Sequence, residues 1–140
     1  MLNELRDKLH SNSVAHGFYS DDDNFENLLG NTGSNWDSYK HSKVAERLML
    51  INSEISEALE ADRINRYAKL DCKSSECDLG LPDEKRWFET KVKSTVEDEL
   101  ADALIRILDM CGWLNIDIES HVELKHQYNC MRPYKHGKKY

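Results

Sequence analysis

The sequence predicts an all-α fold: a helical bundle with two long acid-bearing helices and shorter helices at its N- and C-terminal ends. Three observations carry that prediction. Apolar residues recur at helical spacing in Val44, Leu48, Ile51, Ile55, Ala58 and Leu59, and again in Val96, Leu100, Ala103, Ile107 and Cys111. No segment alternates polar and apolar residues cleanly enough to read as a strand. Gly80 and Pro82 fall between the two periodic stretches, where helix breakers belong.

Taken in order, the first ten residues set Leu2, Leu5 and Leu9 among charges, as in a short amphipathic helix. Residues 20–37 are rich in Asp, Asn, Ser and Gly with little periodicity, so an irregular loop is expected there. Asp37 or Ser38 then caps a long helix reaching about Tyr67. A second loop is expected over 69–83, followed by a short helical piece over 87–93. Ser94 with Glu97 fits a capping box for the second long helix, which Gly112 and Asn115 weaken. Asp117 caps a last helix carrying Ile118, Val122 and Lys125, which ends before Pro133; beyond Tyr134 an extended chain is expected.

A chain of 140 residues can bury one core, and a single domain over 1–140 is expected. With 39% hydrophobic and 32% charged residues the composition is globular, which excludes a disordered chain. No apolar run approaches the roughly 18 residues of a membrane helix, and the N-terminal residues lack the apolar centre of a signal peptide. A cytoplasmic protein with no membrane partner is therefore expected. Cys72, Cys77, Cys111 and Cys130 lack common zinc spacing and are read as reduced thiols.

A net charge of −7 argues against a nucleic-acid polymer as partner. The charge is nevertheless divided. All 26 acids precede position 124, whereas Lys125, Arg132, Lys135, Lys138 and Lys139 follow it. An acidic body thus ends in a basic strip suited to a small polyanion.

The acids repeat a pattern. Residues 54–59 read EISEAL and residues 99–104 read ELADAL, each placing two carboxylates three apart on one helix face. Glu54 and Glu57 border the first apolar stripe, and Glu99 and Asp102 border the second at the same offset. Stripes that pack together bring the acid pairs face to face. Four carboxylates at a core edge repel one another and lose hydration, and a divalent cation is the simplest compensation. Oxygen donors without His or Cys favour Mg²⁺ or Mn²⁺ over zinc. A di-iron site would place His three residues after a Glu on each of two helices; here those positions hold Glu57 and Asp102.

In order, the two pairs resemble the E-x-x-E and E-x-x-D signature of the MazG-like all-α nucleoside triphosphate pyrophosphohydrolases. The resemblance extends over LMLINSEISEALEADR at 48–63, TVEDELADALIRILD at 95–109, HVELKHQYNCMRPYKHGKKY at 121–140 and HGFY at 16–19. It implies a helical bundle, assembled as a homodimer or homotetramer, that splits a (d)NTP between its α and β phosphates. The products would be a (d)NMP and pyrophosphate. It further implies that Glu54, Glu57, Glu99 and Asp102 hold Mg²⁺, that Glu54 or Glu57 activates water, and that Lys125, Asn129 and Arg132, with Lys135 or Lys138, contact the nucleotide. Such roles agree with phosphoryl chemistry, which needs charge compensation and a positioned water. Lys125 and Asn129 lie four apart on one helix face, and Arg132 offers a planar fork.

Both loops are longer than a minimal member of that family needs, and Trp36, Trp87 and Phe88 are aromatic enough to stack on a base. Two other readings remain open at this stage. One is a non-catalytic nucleotide-sensing or partner-binding bundle. The other is a narrower deoxyuridine-nucleotide hydrolase, since related helical enzymes carry similar acid pairs.

Overall fold

Three helices end in the same way, on a residue with left-handed backbone: Gly17 at φ 80°, Asn65 at φ 55° and Asn115 at φ 53°. Glycine and asparagine tolerate that conformation best. After each, two amide N–H groups turn back onto the final helical carbonyls: Gly17 and Phe18 onto Val14 and Ser13, Asn65 and Arg66 onto Asp62 and Ala61, Asn115 and Ile116 onto Gly112 and Cys111. These paired bonds satisfy carbonyls that a helix end otherwise leaves without partners.

The computed structural model describes residues 1–29, 33–68 and 81–133. Among the described residues there are six helices and no strand: α1 (Leu2–Ala15), α2 (Ser20–Leu29), α3 (Ser34–Arg63), α4 (Leu81–Lys91), α5 (Val96–Trp113) and α6 (Ile118–Cys130). The protein is all-α. None of these helices is long and apolar enough to cross a membrane. Two compact units form, Met1–Phe25 with Leu108–Tyr140, and Glu26–Ile107.

In the first unit α1 packs along α6. Asn3 Nδ2 donates to Asp117 Oδ1 at 2.7 Å, and Asn3 N donates to Glu119 Oε2 at 3.1 Å. Arg6 Nη1 donates to the Ile116 carbonyl at 2.5 Å. Asp117 caps α6 as its sequence position predicts, accepting from Ser120 N at 3.2 Å. Further along α1, His10 Nδ1 lies 2.8 Å from Asp109 Oδ1, and its ring meets buried Tyr19 edge-on at 4.8 Å between centroids.

The expected loop over 20–37 is largely helical. Ser20 Oγ donates to the Gly17 carbonyl, and Asp21, Asp22 and Asp23 fill the first turn of α2. Acids there complement the positive end of the helix dipole, so a composition typical of loops serves instead as a helix start. Burial of Tyr19 and Asp22 anchors that turn. α3 starts at Ser34 after Gly33 at φ 94°, ahead of the expected caps at Asp37 or Ser38. Of the second expected loop, 69–80 lie outside the described residues, and Leu81, Pro82 and Asp83 open α4, where proline's missing N–H costs no helical bond.

In the second unit α3 and α5 run antiparallel. Val96 N donates to the Arg66 carbonyl at 3.1 Å, while Arg106, ten residues later on α5, reaches Glu54, which lies on α3 twelve residues before Arg66. The start of α5 is capped one residue later than Ser94 and Glu97 predict. Thr95 Oγ1 accepts from Asp98 N at 3.3 Å, and Asp98 Oδ2 accepts from Ser94 N at 2.8 Å. Glu97 instead accepts from Ala68 N at 2.8 Å, joining the end of α3 to the start of α5.

The buried faces match the expected stripes at Ala58, Ala103 and Cys111 and depart from them elsewhere. Glu54, Ala58 and Ala61 are the buried residues of α3, whereas Leu48, Ile55 and Leu59 are about half exposed. On α5, Glu99 and Ala103 are buried and Leu100 is half exposed.

Candidate metal centre

Glu54 and Glu99 are almost fully enclosed, at 6% and 7% relative exposure, while Asp102 stands at the open side. One carboxylate oxygen from each of the three lies within 4.8 Å of the others. The positions follow from helix geometry. Glu54 shares its face with Ala58 and Ala61 on α3, Glu99 shares its face with Ala103 on α5, and the carboxylates of the two faces come together.

Electrostatics in the cluster is strained. Burial pushes the Glu99 carboxyl above its ordinary range, and the charges of Glu57, Asp98, Glu54 and Asp102 push it further. Burial also raises Asp102, with Asp98 and Glu54 adding to it and Arg106 opposing. Within the cluster Arg106 Nε donates to Glu54 Oε1 at 2.6 Å. Among the described residues no cation pairs with Glu99.

Of the four acids expected to converge, three do. Glu57 is exposed and outside the group, although its charge is felt at Glu99. The donor set fits a hard cation. Oxygens on opposite sides of Mg²⁺ lie about 4.2 Å apart, so a group spread over 4.8 Å closes on such an ion with small side-chain rotations. No histidine or cysteine belongs to the group, which suits Mg²⁺ or Mn²⁺ rather than zinc.

Of the expected nucleotide-contacting residues, Lys125 and Asn129 lie on α6 and Arg132 just beyond its end. Lys125 Nζ stands 5.1 Å from the centroid of the Tyr128 ring and the Arg132 guanidinium 6.0 Å from it, so the two cations flank one half-exposed aromatic. Asn129 Oδ1 is buried without a hydrogen-bond partner. Lys135 and Lys138 lie outside the described residues. Trp36 stacks on Tyr39 at 5.9 Å within α3, Trp87 is half-buried and Phe88 is 44% exposed.

Arg106 and Tyr128 were not singled out from the sequence. Arg106 had a signal: it follows Asp102 by four and Glu99 by seven, spacings that return to one helix face. Set within LIRIL, it reads instead as an isolated charge in an apolar stretch. Comparison with protein-family models, curated proteins and solved structures gave no match to this chain.

Proposed function

We propose that the protein is a Mg²⁺-dependent nucleotide pyrophosphohydrolase of the MazG-like kind, converting a (d)NTP to a (d)NMP and pyrophosphate. The observation that carries this reading is the convergence of Glu54, Glu99 and Asp102 on two helices, with Glu99 enclosed among acids and paired with no cation among the described residues. Such an arrangement destabilises the fold on its own and gains stability from a divalent ion. Mg²⁺, when bound, supplies the positive charge that grips phosphate oxygens; Mn²⁺ suits the same donors.

The protein's own residues then divide the work. Glu54, Glu99 and Asp102 hold the ion. Glu57, exposed and outside that group, is the carboxylate left to orient water and accept its proton. By the resemblance, Lys125, Asn129 and Arg132, together with Lys135 and Lys138, would contact the nucleotide's oxygens. A nucleotide substrate and reduced thiols suit a cytoplasmic setting.

Assembly into a homodimer or homotetramer belongs to the same reading. Leu48, Ile55 and Leu59 on α3 and Leu100 and Leu104 on α5 are each about half exposed, apolar surface that a second copy would cover.

The deciding experiment is a screen of (d)NTPs with Mg²⁺ in which pyrophosphate and orthophosphate are detected separately. Pyrophosphate as the first product is expected. Orthophosphate released first, or no turnover of any nucleotide, rules the reading out. In the latter case calorimetry with a non-hydrolysable nucleotide distinguishes a sensor, which binds, from a structural bundle, which does not.

A further inference from the structure

The acid cluster already contains a cation, and it belongs to the chain. Arg106 Nε donates to Glu54 Oε1 at 2.6 Å, on a carboxylate whose side chain is only 8% exposed. The arginine itself is 43% exposed, so its guanidinium bridges the enclosed acid and water. Among the described residues its bond goes to Glu54, and neither Glu99 nor Asp102, one helical turn away, has a hydrogen-bonded cation.

We infer that Arg106 is an exchangeable counter-ion: it pairs with Glu54 while the cluster is empty, leaves Glu54 when a divalent cation enters, and then binds a phosphate of the substrate. This inference rests on the metal-centre reading above. Glu54 is the shared element. An oxygen held by a guanidinium at 2.6 Å has less negative charge to offer a second cation, and two positive groups on one carboxylate repel. A half-exposed arginine has room to swing toward water on its flexible stem. A guanidinium released beside a metal-bound polyphosphate finds its preferred partner, since its planar fork matches phosphate oxygens two at a time. Pairing with Glu54 also lowers the fraction of molecules competent to take the metal, so the apparent affinity falls by that fraction.

A fixed structural ion pair predicts the opposite behaviour. Removing a residue that only orients Glu54 disorders the site and weakens metal binding, whereas removing a competitor strengthens it.

The test uses the full chain, with Mn²⁺ as the probe ion read by electron paramagnetic resonance, and compares wild type with Arg106→Gln and Arg106→Lys. In EDTA, Arg106→Gln should melt at a lower temperature, because Glu54 is left enclosed without a counter-charge. The same variant should bind Mn²⁺ roughly three- to tenfold more tightly than wild type. Arg106→Lys keeps the charge and so should keep the metal-free melting temperature. With Mn²⁺ present, both variants should lose roughly tenfold or more in affinity for a nucleoside α,β-imidotriphosphate, because neither has the fork. Equal or weaker Mn²⁺ binding by Arg106→Gln overturns the exchange. Undiminished affinity of Arg106→Lys for the analogue overturns the phosphate role. Absence of Mn²⁺ binding in wild type and both variants overturns the metal centre itself, a result distinct from either of the others.

Discussion

Asn3 and Asp117, 114 positions apart, are joined by a 2.7 Å hydrogen bond that fastens the start of α1 to the cap of α6. With Ser120 donating from both side chain and backbone, this bond holds the Asp117 carboxyl down at about 2. An unfolded Asp protonates near pH 3.9, so between about pH 4 and 2 the unfolded chain binds more protons than the folded one. Stability from this carboxylate is therefore complete above about pH 4 and disappears as pH falls through about 2. Asp117→Asn keeps a capping side chain without the titration. Its urea midpoint should fall less steeply than that of wild type across this window, and parallel curves would refute the assignment.

Gly112 faces His10 with no room for another carbon. A Cβ built at Gly112 would lie 2.6 Å from His10 Cβ and 2.8 Å from its Cγ. Gly112→Ala gains about 1 kcal/mol of helix propensity but forces α1 to move, and overpacking costs about 1–3 kcal/mol. Net destabilisation is expected in chemical unfolding. Adding His10→Ala should not rescue it, because the closest atom is the Cβ that alanine retains. A variant as stable as wild type would contradict this packing.

Asp102→Asn separates a shared metal site from surface charge. With burial and acid neighbours raising its carboxyl, loss of that charge should leave the metal-free fold intact or slightly stabilised. The variant should lose most of the Mg²⁺-induced gain in melting temperature and most activity. Wild type and variant melted with EDTA and with Mg²⁺ give four curves. Equal magnesium shifts in the two proteins remove Asp102 from the site.

Half-exposed Ile55 and Leu59 distinguish assembly from a bare surface. On a monomer, Ile55→Lys with Leu59→Lys should change stability by no more than about 0.5 kcal/mol per site. On a self-associating protein the pair should lower the mass measured by light scattering and abolish concentration dependence of the melting temperature. A monomeric mass for wild type at micromolar concentration would count against assembly.

The repeated acid pattern made convergence of Glu54, Glu99 and Asp102 legible, because a fixed offset from a stripe survives an error in the stripe itself. The stripes hold at Ala58, Ala103 and Cys111, which are buried, and fail at Leu48, Ile55, Leu59 and Leu100, which are about half exposed, while Glu54 and Ala61 outside them are buried. Caps were legible where one side chain decides them, as at Asp117, and shifted by one where Ser94 and Thr95 compete. Ser94 adopts φ 59°, a backbone choice that serine does not announce. α2 was missed because aspartates that favour loops also favour the first turn of a helix.

Cys111 is buried, with burial pushing its thiol up, whereas Cys130 is exposed on α6. Only the thiolate reacts with alkylating reagents, so these two of the four sulfhydryls differ in readiness. With Cys72 and Cys77 replaced by serine, Cys130 should label at once, and Cys111 only when the end of α5 opens. The rate of the slow phase then measures how often α5 comes loose from its neighbours, a clock for local opening written into the native sequence.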